Sequence, residues 1–220
     1  MKECKLEVYL GERFVGTMAQ TADRRVAFAY SEEWLDNGFA ISPFSLPVEQ
    51  KVFVPTSQAF SGLWGVFADS LPDAWGQLLV DRMLKARGIL SADMTQLERL
   101  AIVGDSGMGA LAYRPAWNIQ QDAAIGDLDK LSAQCHAILN HEDAGDLDEL
   151  FQMGGSSGGA RPKIMTDEWI IKFPAADEMK DSGTMEKSLY GLRRGLRNHR
   201  AGNQADAVQC VCGLLCCKAV

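Results

Sequence analysis

Ten consecutive residues, 154–163, read GGSSGGARPK, and their types suit them to hold a phosphate group. Glycines let backbone amides turn inward and approach an anion closely, serine hydroxyls add donors, and a following lysine supplies a point charge for phosphate oxygens. A bare Gly/Ser run also serves as a flexible linker. The neighbours of this one point to chemistry. Arg161, Pro162 and Lys163 close it, and Ile171-Lys172-Phe173-Pro174 sets a lysine among apolar residues. A cation there is costly unless it meets an anion or snorkels outward.

These residues need elements to position them. Ile164-Met165 and Trp169-Ile170-Ile171 flank the polar Thr166-Asp167-Glu168, which predicts a short β-hairpin with Lys172 near the end of its second strand. Glycine-rich loop, hairpin and strand lysine together form the nucleotide-holding end of a kinase-like lobe. A Walker loop would instead place its lysine and Ser/Thr directly after the glycines and open a helix.

Upstream, residues 5–10, 14–18 and 26–30 alternate in β fashion, predicting an antiparallel meander. Residues 31–35 add a helical turn, and 41–43, Pro47 and 52–55 read as extended segments broken by proline. Asp73 caps a helix expected over 74–87, where Leu78, Leu79, Met83 and Leu84 recur at helical spacing before Gly88. Further helices are expected over 94–102 and 128–139, with a strand over 110–117 between them. Within 67–76, Asp69, Asp73 and Trp75 read as structural: one turns, one caps and one packs. The composition changes near residue 150, where a domain boundary is placed.

The 220 residues, 47% of them hydrophobic, can bury a sizeable core as one large or two small domains. A formal charge of -7 argues against general nucleic-acid affinity, which needs a basic face. No apolar run approaches the ~20 residues that span a bilayer, and the opening MKECKLEVYLGERF lacks a signal peptide's apolar core, so the expected location is the cytoplasm with no membrane partner. Four of the six cysteines, Cys210, Cys212, Cys216 and Cys217, crowd the last eleven residues. Their C-x-C-x-x-x-C-C spacing lacks the paired C-x-x-C knuckles of ordinary structural zinc sites, and a zinc-dependent regulator is the weakest of the readings. His136, His141 and His199 offer no ligand spacing, and no metal site is assigned.

Two more segments bear on the loop. Phe67-Ala68-Asp69-Ser70-Leu71-Pro72-Asp73-Ala74-Trp75-Gly76 is similar to an F-x-D-x-L-P-D-x-W-G segment, and Val103-Gly104-Asp105-Ser106-Gly107-Met108-Gly109-Ala110-Leu111 to a V-G-x-x-x-x-G-A-L segment. With the glycine-rich loop, in this order, they make the chain resemble the HipA-type serine/threonine kinases, toxins of bacterial toxin-antitoxin pairs, over nearly all of its first 190 residues. The resemblance implies an α+β fold: an N-terminal subdomain of β-meander plus helices over 1–112, a linker and helix over 113–150, and the start of a kinase-like nucleotide-binding lobe over 151–192. It matches Gly158, Gly159, Ala160, Arg161, Pro162 and Lys163 to the family's nucleotide-binding loop, and Lys172 to the strand lysine on the ATP phosphates. Ser156, with Ser157 beside it, aligns with a serine that family members autophosphorylate. A phosphate there would bring about 1.5 to 2 negative charges into the loop and empty the site. Glu186 is the candidate carboxylate pairing with Lys172; a solvated helix glutamate is the equal alternative.

By the same resemblance the cofactors are ATP and Mg²⁺, the substrate a serine of a translation factor such as an aminoacyl-tRNA synthetase, and the partner a helix-turn-helix, HipB-like antitoxin through which alone DNA is met. Phosphoryl transfer also needs a catalytic-loop aspartate, an asparagine and a metal-holding aspartate. None can be placed after residue 186, so no catalytic residue is assigned. The abruptly basic stretch 193–200 and the cysteine-rich end make 193–220 an aberrant tail. Synonymous codons exist that, read one nucleotide over, continue the family pattern, so the expectation is a kinase truncated by a frameshift near residue 193 and inactive as a transferase. The competing expectation is a non-catalytic module that still binds the antitoxin.

Overall fold

The computed structural model describes residues 5–117, 128–142, 145, 147–154, 159–165, 169–175, 182–197, 208–211 and 214–218. The fold is mixed α and β, with antiparallel sheets, and the chain divides into two compact units. One comprises Met1–Pro72 with Leu84–Ile119, the other Asp73–Met83 with Gln120–Val220. No helix among the described residues is long and apolar enough to cross a membrane.

The first unit is built on the strands β1 (Lys5–Leu10), β2 (Arg13–Gln20), β3 (Val26–Tyr30) and β4 (Leu111–Arg114), in the order β3-β2-β1-β4. Alternation decides which face is buried: in β1, Leu6 and Val8 are fully buried whereas Lys5 and Glu7 are exposed. β2 is longer at both ends than its apolar core of 14–18 suggests, because Arg13 and Ala19-Gln20 pair in register with β1 and β3. The strand expected over 110–117 ends at Arg114; Pro115 has no N–H to extend the ladder. The short helix α1 (Glu32–Asn37) is capped by Ser31, whose hydroxyl accepts the Trp34 N–H. Of the proline-broken segments, the second joins the sheet's margin through a single bridge, Phe53 to Phe28, and the first closes on itself through a bridge from Ser42 to Leu46.

A one-turn helix α2 (Gly65–Ala68) precedes α3 (Ala74–Ala86), and α4 (Gln96–Val103) begins two residues later than its apolar pattern suggests. Its start is fixed by a capping box: Thr95 accepts the Glu98 N–H, and Glu98 accepts the Thr95 N–H. Gly104 ends α4 at φ +52°, a left-handed backbone that favours glycine, and its carbonyl accepts the Tyr113 N–H from β4. That joint gives the V-G-x-x-x-x-G-A-L segment a physical meaning: a helix stop tied to the next strand. The core holds Phe28, Tyr30, Trp34, Phe53, Phe67 and Tyr113 among aliphatic side chains from all four strands.

The second unit contains the start of α3, α5 (Leu128–Leu139), α6 (Leu147–Gly154), β5 (Lys163–Met165), β6 (Trp169–Lys172), α7 (Ser182–Arg197), β7 (Val208–Val211) and β8 (Leu214–Lys218). α5 covers the residues its pattern predicts. α6 crosses residue 150; Leu147, Leu150 and Phe151 stand at i, i+3 and i+4, and the latter two are buried. β5 to β8 form a second sheet ordered β5-β6-β8-β7, all antiparallel. α7 runs unbroken past residue 193, and the cysteine-rich end supplies β7 and β8. Cys210 in β7 and Cys216 and Cys217 in β8 are small apolar residues compatible with strand pairing, a pattern too short to be read as periodic.

Candidate functional site

The predicted hairpin is present and sets its two lysines opposite each other: Lys163 pairs with Lys172, Ile164 with Ile171 and Met165 with Ile170. Directly opposed like charges on neighbouring strands repel unless an anion lies between or beside them. Two carboxylates supply that charge. Lys172 Nζ is 2.6 Å from Glu186 Oε1 on α7, and Arg161 Nη1 is 3.1 Å from Glu186 Oε2, so one carboxylate holds two cations, one with each oxygen. The groups are about a quarter exposed or less, so the pairs are only partly screened by water. Arg161 is fixed at its other edge, where Nε donates to the Phe173 carbonyl at 2.9 Å, and the Phe173 N–H donates to the Pro162 carbonyl at 2.8 Å. The arginine, the strand lysine and the helix glutamate thus form one rigid corner.

The second carboxylate is Asp73, just before α3. It accepts the Gly159 N–H. Trp75, 1% exposed, holds the same loop twice: its backbone N–H donates to the Gly159 carbonyl at 3.3 Å, and its indole Nε1–H to the Lys163 carbonyl at 3.2 Å. Gly159 has φ +101°, a backbone conformation that requires glycine, and a Cβ there would lie 2.9 Å from Lys163 Nζ, the movable end of a flexible side chain. Lys163 is 6% exposed. Burial pushes its ammonium below the ordinary lysine range; Asp73 opposes that shift, and Lys172 and Arg161 add to it.

Of the residues singled out in the sequence, Arg161, Lys163, Lys172 and Glu186 therefore lie in one cluster around the hairpin, with Gly159 beside it and the Pro162 carbonyl bonded within it. Ala160 is exposed next to Gly159. Ser156, Ser157 and Gly158 lie outside the described residues. So does Cys212, while Cys210, Cys216 and Cys217 are placed as strand backbone only, on β7 and β8. Among the described residues no group of three or more His, Cys, Asp or Glu could hold a metal ion. The engagement of Asp73 and Trp75 with the loop was not visible in the sequence, because 86 and 88 residues separate the bonded groups. The arrangement has three cations against two carboxylates, together with loop amides, and can accept an anionic oxygen ligand.

The match to known families falls on the other half of the chain. Residues 6–114 match the family model of the HipA N-terminal domain. Over this stretch, just under half of the 220 residues, the chain is similar to that domain. No curated protein matches the chain. The matched stretch takes in β1 from Leu6 onward, β2, β3 and β4, and both sequence segments 67–76 and 103–111. Their most buried members act in packing: Phe67 is fully buried in the core of the first unit, and Trp75 is buried in the second. The match ends before the glycine-rich loop, so the reading of that loop rests on its own geometry.

Proposed function

We propose that the glycine-rich loop, the β5–β6 hairpin and Glu186 hold the phosphates of ATP, as the nucleotide-binding part of a HipA-type serine/threonine protein kinase. The observation that carries this reading is the 2.6 Å pair between Lys172 on a strand and Glu186 on the following helix, with the glycine-rich stretch one strand earlier. In protein kinases a strand lysine fixed by a helix glutamate presents its charge to the nucleotide phosphates. Arg161 shares the same carboxylate and lends a second cation. In the family, Mg²⁺ accompanies the nucleotide; among the described residues no group of three or more His, Cys, Asp or Glu could hold it. The transfer step of such a kinase, to a protein such as a translation factor, also requires two aspartates.

Equilibrium dialysis with labelled ATP tests this. The full chain should bind, and Lys172→Ala should weaken binding at least about tenfold, the equivalent of about 1.4 kcal/mol. Equal binding by the two proteins would remove the reading.

A second reading is favoured by the first unit, which exposes Phe39, Phe44, Val52 and Phe60. Exposed large apolar side chains suit a protein partner, and in a HipA-type system that partner is a helix-turn-helix antitoxin. Co-purification with a coexpressed antitoxin, retained in Lys172→Ala, would support a binding module. Loss of the complex in Phe44→Ser would locate it on this unit.

A further inference from the structure

We propose that Asp73 is an internal anion that occupies the loop's phosphate-binding donors in the nucleotide-free protein, so that ATP enters by displacing its carboxylate. This inference rests on the nucleotide reading of the site and adds a regulation to it. Three observations carry it. The Gly159 N–H, which a phosphate oxygen would otherwise meet, is donated to the Asp73 carboxylate. Lys163 Nζ packs against the same glycine, and Asp73 is the charge that opposes the effect of burial on this lysine. The carboxylate therefore faces the two kinds of donor, amide and ammonium, that a phosphate-holding loop presents.

The third observation is how Asp73 is delivered. Two residues on, Trp75 is buried and fastened to the loop at both ends of the 159–163 segment, through the Gly159 and Lys163 carbonyls. Those two bonds use carbonyls, which repel phosphate and are not needed by it. They can persist when nucleotide binds. The Asp73 bond uses an amide donor and lies at the exposed surface, so it is the one contact of the three that a phosphate both competes with and can reach. Its negative charge also opposes the approach of a triphosphate. Trp75 is thus the fixed anchor and Asp73 the exchangeable plug.

The test is ATP binding by the full chain, with MgCl₂, in the wild type, Asp73→Asn and Asp73→Ala. Asparagine keeps an acceptor oxygen without the charge, and alanine removes both. Affinity should rise in that order, reaching about tenfold tighter for Asp73→Ala. Unchanged or weaker binding by Asp73→Ala would overturn the proposal, showing that the carboxylate supports the loop, while leaving the nucleotide reading in place. Absence of ATP binding in all three folded proteins would instead remove the nucleotide reading and this inference with it. Amide hydrogen exchange gives an independent measure: Gly159 should exchange faster in Asp73→Ala than in the wild type, with protection restored by ATP. Unaltered exchange at Gly159 would show that Asp73 does not hold that amide, and the proposal would fail.

Discussion

The two units keep their structures by different means. The first closes around an aromatic cluster, in which Phe28 meets Tyr30 edge-on at 4.9 Å and Phe67 at 5.1 Å, and its core is mainly apolar. The second has a conventional core in Leu79, Leu131, Ile138, Leu150 and Phe173, but sets beside it a cluster of Asp73, Arg161, Lys163, Lys172 and Glu186. Buried apolar area stabilises a fold without directional requirements, whereas half-buried charges must be paired to avoid a desolvation cost. The first unit therefore tolerates any well-packed solution, and the second is constrained by donor and acceptor geometry. Charge maintained at such a cost points to a ligand, and that charge lies in the second unit.

Truncation in the aromatic cluster is the severest way to probe the contrast. Phe28→Ala removes a fully buried ring and should lower stability by about 3–5 kcal/mol, seen as a fall in the urea midpoint of the full chain. A loss below about 1 kcal/mol would mean the first unit is not held by this cluster. Trp75→Phe keeps most of the ring and deletes the indole donor to the Lys163 carbonyl. The expected cost is about 0.5–1.5 kcal/mol. Thr95→Ala, which breaks the capping box of α4, should cost about 1 kcal/mol in the first unit.

Glu186→Gln separates stability from function. The pairs it breaks are partly exposed, so the urea midpoint should move by less than about 1 kcal/mol. ATP binding, measured by equilibrium dialysis, should nonetheless fall several-fold, because Lys172 and Arg161 lose the group that aims them. Unchanged binding would assign Glu186 to surface charge pairing alone. A large loss of stability would place the cluster among the supports of the fold and blur the contrast drawn above.

The elements of both units were legible where their pattern is local. β1, β3 and α5 are bounded as their periodicities indicate, and the β5–β6 hairpin follows from two apolar runs around a polar turn. The pairing of Lys172 with Glu186 was reachable because the two are 14 residues apart, on a strand and the next helix. α6 was missed because its apolar positions sit in a short stretch after the acidic residues 142–148, which resemble a loop in composition. The capping box at Thr95 and Glu98 is present in the sequence as T-x-x-E, and it, rather than the apolar run around it, fixes the start of α4. Asp73 and Trp75 read as a cap and a packing residue because nothing within a dozen positions calls for more. Their bonds to Gly159 and Lys163 arise from tertiary folding, which no local period encodes.

The finest expected difference between the units is in their response to alkaline pH. Burial pushes the Tyr113 hydroxyl up to about 12 from its ordinary 10.0, while Lys163 is lowered from 10.5. Folded Tyr113 keeps its proton when the unfolded chain begins to lose it, so its contribution is complete below pH 10 and declines as pH rises toward 12. The loss reaches only about 0.4 kcal/mol at pH 10. For Lys163 the sign is reversed: between its folded value and 10.5 the unfolded chain binds more protons, so stability rises with pH through that window. Urea midpoints of the wild type, Tyr113→Phe and Lys163→Met, compared from pH 8 to 10.5, separate the two terms. Tyr113→Phe should lose less stability than the wild type above pH 10, and Lys163→Met should lack the wild type's gain. If Lys163→Met follows the wild type throughout, the lysine is reached by water in the folded chain, and the charge cluster of the second unit is more open than its burial indicates.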